Sequence, residues 1–362
     1  MKPESYGGIL EVSAAIRDYY GLEHSADCDP AVSAWLREHQ FRCVIALLVD
    51  GMGTSVMKRH LQEESFFMRH TVKEITTVFP PTTTAATTSF LTGKYPCETG
   101  WLGWNQYFRE INDELILFRS MGQYSGKSYP DHAWKALPVT YICDELNRKN
   151  ICARSFWPEW AGADGAHTYH QLMERTLGAA ENPEVRMIYT YWDVLDTCMH
   201  INGPFSSITK RVLENIEHET ERMAQALPGD CGLLVIADHS QVEVRHYAID
   251  DDDEFCSYLS QTPTVEARCI SLCIKPEKKE AFRTYFNKKF GNAFLLLDHD
   301  EVIRQGWFGK GTPHPRFEEF IGDYIAIALG PLQLDVIRGK DTHGSHAGGM
   351  ASEAMIPLIL VP

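Results

Sequence analysis

Three places in the chain set acidic side chains directly after an apolar run. Asp50 follows CVIALLV, Asp193 and Asp196 follow VRMIYTYW, and the pair Asp238-His239 follows GLLVIA. A carboxylate in such a position often only caps the next helix. Histidines join two of the three, and that widens the chemistry on offer. Asp196 and His200 are four residues apart. On a helical turn they share a face, so a carboxylate oxygen and an imidazole nitrogen can converge on one ion. The adjacent Asp238 and His239 suit a loop that splays two ligands. Mixed oxygen and nitrogen donors favour zinc, with manganese or iron next.

A nucleophile is offered by the segment FPPTTTAATTSFLTG at 79–93. The proline pair ends a strand, and the small residues after it can begin a helix. A hydroxyl at that helix N-terminus sits in positive potential. Beside a dication it can ionise and attack phosphorus. The same composition also suits a plain capping cluster of threonines on a polar helix.

Side chains placed in this way need strand ends to hold them. Strands are expected at 43–49, 151–156, 185–192, 232–237, 323–329 and 355–361, and helices near 53–62, 84–92, 138–149, 205–227 and 277–289. Short, nearly continuous apolar runs suit a parallel sheet buried on both faces. Their alternation with helical patterns predicts an α/β fold: a doubly wound, mostly parallel sheet sandwiched by helices. Such sheets place their sites beyond the carboxyl ends of the strands. The region 245–320 differs, with strand-like runs at 267–275 and 293–298 around a charged helix. It reads as an inserted α+β cap, leaving 1–244 and 321–362 as the catalytic domain.

The bulk numbers bound the rest. A chain of 362 residues suits one large domain carrying an insertion. There are 34 lysines and arginines against 49 aspartates and glutamates, a formal charge of −15. That balance argues against stable nucleic-acid binding, although bound dications can reverse the local field for a phosphate substrate. No apolar run is long enough to span a membrane, and the N-terminus has no basic region followed by an apolar one, so no signal peptide is expected. Ten cysteines without C-x-x-C pairs fit reduced thiols and a cytoplasmic location.

Taken in order, several segments resemble the alkaline phosphatase superfamily, and within it the type I phosphodiesterase/nucleotide pyrophosphatase branch. They are LLVDGMG (47–53), FPPTTTAATTSFLTG (79–93), YPCETGWLGWN (95–105), DTCMHINGP (196–204), ADH (237–239), HPRFEEFIGDY (314–324) and HAGG with EAMIPLILV (346–361). The resemblance implies a two-metal phosphoester hydrolase acting on a small-molecule substrate, a nucleotide among the candidates, through a covalent phosphothreonine. Counting ten residues back from Gly93 puts the nucleophile at Thr83. Asp50, Asp238 and His239 resemble the ligands of one divalent ion, Zn²⁺ or alternatively Mn²⁺, which also holds the Thr83 oxygen. Asp196 and His200 resemble ligands of the second ion, completed by a histidine near the C-terminus. Asn105 matches the asparagine that donates to a phosphate oxygen.

The closing histidine has two candidates, His346 and His343. His343-Gly344 copies the H-G pair common in the superfamily. His346 lies eleven residues before Pro357, the spacing of the bacterial H-A-G variant, and is preferred. The usual D-H-G reads Asp238-His239-Ser240 here. A diester preference is expected because the nucleophile segment carries no arginine to face a monoester. Phosphomonoester or phosphonate hydrolysis are the alternatives within the superfamily, and a non-catalytic metal-binding protein is the alternative outside it. Trp101, Trp104, Tyr107, Trp157 and Trp160 are candidates for stacking on a base or aryl group, or are ordinary packing aromatics.

Overall fold

The computed structural model describes residues 1–162, 164–337 and 342–362. Its larger core is a six-stranded sheet. The strand order is Thr71–Thr76, Met355–Val361, Cys231–Ile236, Cys43–Val49, Met187–Trp192 and Ala153–Phe156. The last four run parallel to one another. Every residue of Cys43–Val49, Met187–Trp192 and Cys231–Ile236 is buried, as continuous apolar runs covered on both faces must be. Two packed groups of helices accompany the sheet. Gly8–Tyr19 packs on Pro30–His39 and Thr83–Thr92, while Ser207–Ala226 packs on Tyr169–Ala180, Val194–Asn202 and Thr54–His60. The mixed α/β class expected from the alternation of elements is the class observed.

Two features depart from the expected sheet. Met355–Val361 lies antiparallel to both neighbours. The run expected as a strand at 323–329 forms Tyr324–Ala328, which belongs to a second sheet. That sheet has seven antiparallel-paired strands. Their order is Phe294–Asp298, Tyr324–Ala328, Cys269–Leu272, Thr264–Val265, Asn105–Phe108, Asp113–Ile116 and Met121–Gly122. It therefore takes strands from 105–122 and 324–328 as well as from within 245–320. The helix Lys279–Phe290 turns Phe282, Phe286 and Phe290 onto this sheet at four-residue spacing, where they pack with Phe294 and Phe255.

A buried ion pair joins the two sheets. Arg268, beside the Cys269–Leu272 strand, donates from Nε and Nη2 to the two Glu353 oxygens at 2.7 and 2.8 Å, with both side chains fully buried. Glu353 also accepts from the Gly348 N–H at 2.7 Å, which fixes the loop before the last strand. Glu353→Ala would strand a buried guanidinium, so it should lower unfolding stability by about 3–5 kcal/mol. A urea melt of the variant checks this.

Candidate active site

The parallel strands end where the acidic residues begin. Asp50 follows Cys43–Val49, and Asp238-His239 follow Cys231–Ile236 after Ala237. Because these strands are neighbours, the two ends lie together. Gly51 makes the join possible. Its φ is 73°, and a Cβ there would stand 2.6 Å from Met199 Cε and 3.2 Å from Asp196 Cα. Its N–H donates to Asp238 Oδ1 at 3.0 Å. Asp196 and His200 lie one turn apart on Val194–Asn202, with His200 Nε2 at 3.3 Å from Asp196 Oδ2.

Two groups of three donors result. Asp50, Asp238 and His239 form one, and Asp196, His200 and His346 the other. Within each, the ligand-type atoms lie within 4.8 Å of one another. The groups touch: His239 Nε2 is 4.0 Å from Asp196 Oδ1, and the His239 and His346 rings stack at 3.8 Å between centroids. His343 belongs to neither group. It is exposed, and its backbone N–H donates to the His200 carbonyl at 2.7 Å. Asp193 stands apart as well, accepting from Trp160 Nε1 at 2.6 Å.

Thr83 is the first residue of the helix Thr83–Thr92, which is buried along its whole length. Its hydroxyl lies 3.1 Å from His239 Nε2 and 3.3 and 3.4 Å from the two Asp50 oxygens. The unpaired N–H groups of the first turn put positive potential at this hydroxyl.

The donor set fits divalent cations on three counts. Each histidine sets Nδ1 against a backbone carbonyl: His200 to Gly344 at 2.8 Å, His346 to Pro81 at 3.1 Å and His239 to Ser240 at 3.2 Å. An Nδ1–H donating there leaves each Nε2 with a bare lone pair, the arrangement of metal-ligating imidazoles. Asp238 is fully buried, and its Oδ2 has no hydrogen-bond donor among the described residues. Charge is the third count. Burial, then Asp238 and Asp196, raise the Asp50 pKa well above the carboxylate range. Burial opposes ionisation of His239, yet Asp238, Asp50 and Asp196 push it up to about 10. Three buried carboxylates thus demand positive charge, which a dication delivers more compactly than protons.

Asn105 opens the strand Asn105–Phe108 of the second sheet. Its Oδ1 accepts from the Val265 N–H at 3.1 Å, and its amide nitrogen faces the Tyr124 hydroxyl. Val265 holds φ at 78°. That is an outlier for a β-branched residue, and such strain costs about 1–3 kcal/mol. Ala347, next to His346, also has positive φ, at 85°. A cavity of about 520 Å³ opens beside Asn105, lined also by Trp104, Arg119, Tyr124 and Glu266.

Of the other aromatic candidates, Trp101 is fully buried and bonds the Leu137 carbonyl, so it is packing. Tyr107 bonds Asn112 at an exposed position. Trp157 and Trp160 pack on Tyr191. Three supporting residues carried no sequence signal of their own. Tyr191 donates to Asp50, Gln241 donates to Asp196, and Glu266 accepts from Thr82. Only Tyr191, two residues before Asp193 on a strand end, was placed where a site residue is expected.

Residues 44–289 match the family model described as type I phosphodiesterase/nucleotide pyrophosphatase. The chain belongs to the type I phosphodiesterase/nucleotide pyrophosphatase family. It is accordingly a phosphoric ester hydrolase of the alkaline phosphatase superfamily. No curated protein sequence matches it significantly. Among solved structures, murine ectonucleotide pyrophosphatase/phosphodiesterase 5 superposes with a TM-score of 0.67 at 15% identity, over 87% of each chain. An inactive variant of that protein is known in complex with AMP. Phosphonoacetate hydrolase from Sinorhizobium meliloti, in complex with phosphonoformate, superposes with a TM-score of 0.64 at 13% identity, over 88% of this chain and 90% of its own. At these identities the likeness is one of fold. Among the described residues, no helix is long and apolar enough to cross a membrane.

Proposed function

We propose that this family member is a divalent-metal-dependent phosphodiesterase that works through a covalent phosphothreonine at Thr83. The observation that carries this reading is the Thr83 hydroxyl itself. It sits at a helix N-terminus, within 3.4 Å of Asp50 and His239, and next to the second donor group. Asp50, Asp238, His239 and the Thr83 oxygen would hold one ion, and Asp196, His200 and His346 the other. Bound there, zinc or manganese would supply Lewis acidity and offset the charge of the reacting phosphoryl group.

The chain's own part follows from position. Loss of its proton leaves the Thr83 oxygen an alkoxide, and the helix N-terminus favours that charge. That oxygen attacks phosphorus, a Thr83 O–P bond forms, and the bond to the departing alcohol breaks, that alcohol taking up a proton and the other ester arm staying on phosphorus. Water then displaces the Thr83 oxygen, releasing a phosphomonoester and restoring the hydroxyl. Asn105 Nδ2 would donate to a phosphate oxygen, stabilising charge that grows toward the transition state. Tyr191 and Gln241 keep Asp50 and Asp196 in place.

The substrate is a small phosphodiester, with nucleotides as the first candidates because the cavity beside Asn105 holds Trp104 for stacking. The zinc- or manganese-loaded protein should hydrolyse bis(p-nitrophenyl) phosphate faster than p-nitrophenyl phosphate. A monoester rate about tenfold above the diester rate would reverse the assignment. Absence of turnover on both would remove it.

A further inference from the structure

One carboxylate at this site has no part in the scheme above. Glu266 accepts on a single oxygen from the Thr82 hydroxyl and from the Trp104 backbone N–H, the latter at 2.9 Å. Thr82 and Trp104 each immediately precede a residue that works, Thr83 and Asn105. The residue before Glu266 is Val265, whose φ of 78° and whose bond to Asn105 fix the backbone at this point. Glu266 lines the cavity together with Asn105 and Arg119. Burial raises its pKa, and the bonds from Thr82 and Trp104 and the charges of His239 and His200 oppose that rise.

We propose that Glu266 is a specificity-determining residue, its carboxylate beside Asn105 disfavouring dianionic phosphomonoesters and so directing the site to monoanionic diesters. The proposal rests on the roles given above to Thr83 and Asn105. A diester carries one negative charge and puts its second ester arm into the cavity. A monoester has an unesterified, charged oxygen in that place, facing the wall where Glu266 stands. Like charges repel more strongly in a partly dry cavity than in water. Arg119, on the same cavity, does not cancel the effect. It is exposed, so water screens its charge, and it lies 5.8 Å over the Trp104 ring.

The test compares Glu266→Gln with Glu266→Asp in the metal-loaded protein. Glutamine keeps an oxygen for Thr82 and Trp104 but loses the charge, whereas aspartate keeps the charge. The ratio of kcat/KM for p-nitrophenyl phosphate to that for bis(p-nitrophenyl) phosphate should rise about tenfold in Glu266→Gln and stay near wild type in Glu266→Asp. Equal factors on both esters, or the same ratio shift in both variants, would overturn the proposal. Glu266→Met repeats the comparison should the glutamine protein not fold. Calorimetric binding of phenylphosphonate, a dianion, gives a readout separate from turnover. It should be about tenfold tighter in Glu266→Gln than in wild type, and equal affinities would refute the proposal even if the wild type hydrolysed neither ester. Failure of the phosphodiesterase reading would appear instead as a wild type inert toward both esters.

Discussion

Thr83→Ala should lower diester turnover by at least about a thousandfold, because it deletes the attacking oxygen rather than a binding contact. The fold should survive. Thr83 opens its helix rather than filling its middle, and alanine is the best helix former. Both donor groups lose at most one oxygen, so metal content should stay close to wild type. The neighbouring threonines make the natural controls. Thr82→Ala removes the hydroxyl bonded to Glu266 and should cost far less than Thr83→Ala. Thr84 is fully buried with no hydrogen-bond partner for its hydroxyl among the described residues, so Thr84→Ala should be mild. Steady-state rates on bis(p-nitrophenyl) phosphate check all three. An active Thr83→Ala protein beside an inactive Thr82→Ala or Thr84→Ala protein would show that the nucleophile is another hydroxyl of this turn.

Chelation should abolish activity, and zinc or manganese should restore it. Elemental analysis should approach two ions per chain, one for each donor group. The argument is electrostatic. Asp50, Asp238 and His239 are each at most 2% exposed, and a buried group of this kind needs positive charge that solvent cannot supply. His346 and His343 should part company in the same assay. His346 is buried and stacked on His239, so His346→Ala should lose one ion and most of the activity. His343→Ala should keep both ions, because that side chain lies outside both groups. A chelated, metal-free protein with full activity would contradict the account of the donor groups.

Much of this arrangement could be read ahead of the structure, and the limits have physical causes. Cys43–Val49 and Met355–Val361 stand out because a strand covered on both faces is apolar at every position. An apolar run does not state its partner, however. That is why Tyr324–Ala328 passed for a strand of the parallel sheet although it pairs antiparallel to Cys269–Leu272 and Phe294–Asp298. Thr71–Thr76 is an edge strand in which only Val72 and Ile75 are apolar, and it gives no continuous signal. The strands at 105–108 and 113–116 are four residues each, too short for a period to register. The two donor groups were legible because neighbouring strand ends bring local motifs together. Gln241 and Glu266 were not, since each reaches its partner, Asp196 or Thr82, across 45 or 184 residues of chain.

The central claim is that Thr83 becomes covalently phosphorylated during turnover. Acid quenching during steady-state hydrolysis of a diester, followed by proteolysis and mass spectrometry, tests it most directly. The account predicts the phosphoryl group with its remaining ester arm on the peptide spanning 79–93, localised to Thr83 and lost on chase without substrate. Active enzyme quenched in the same way with the label on another residue, or with Thr83 unmodified under conditions that trap such esters, would contradict it.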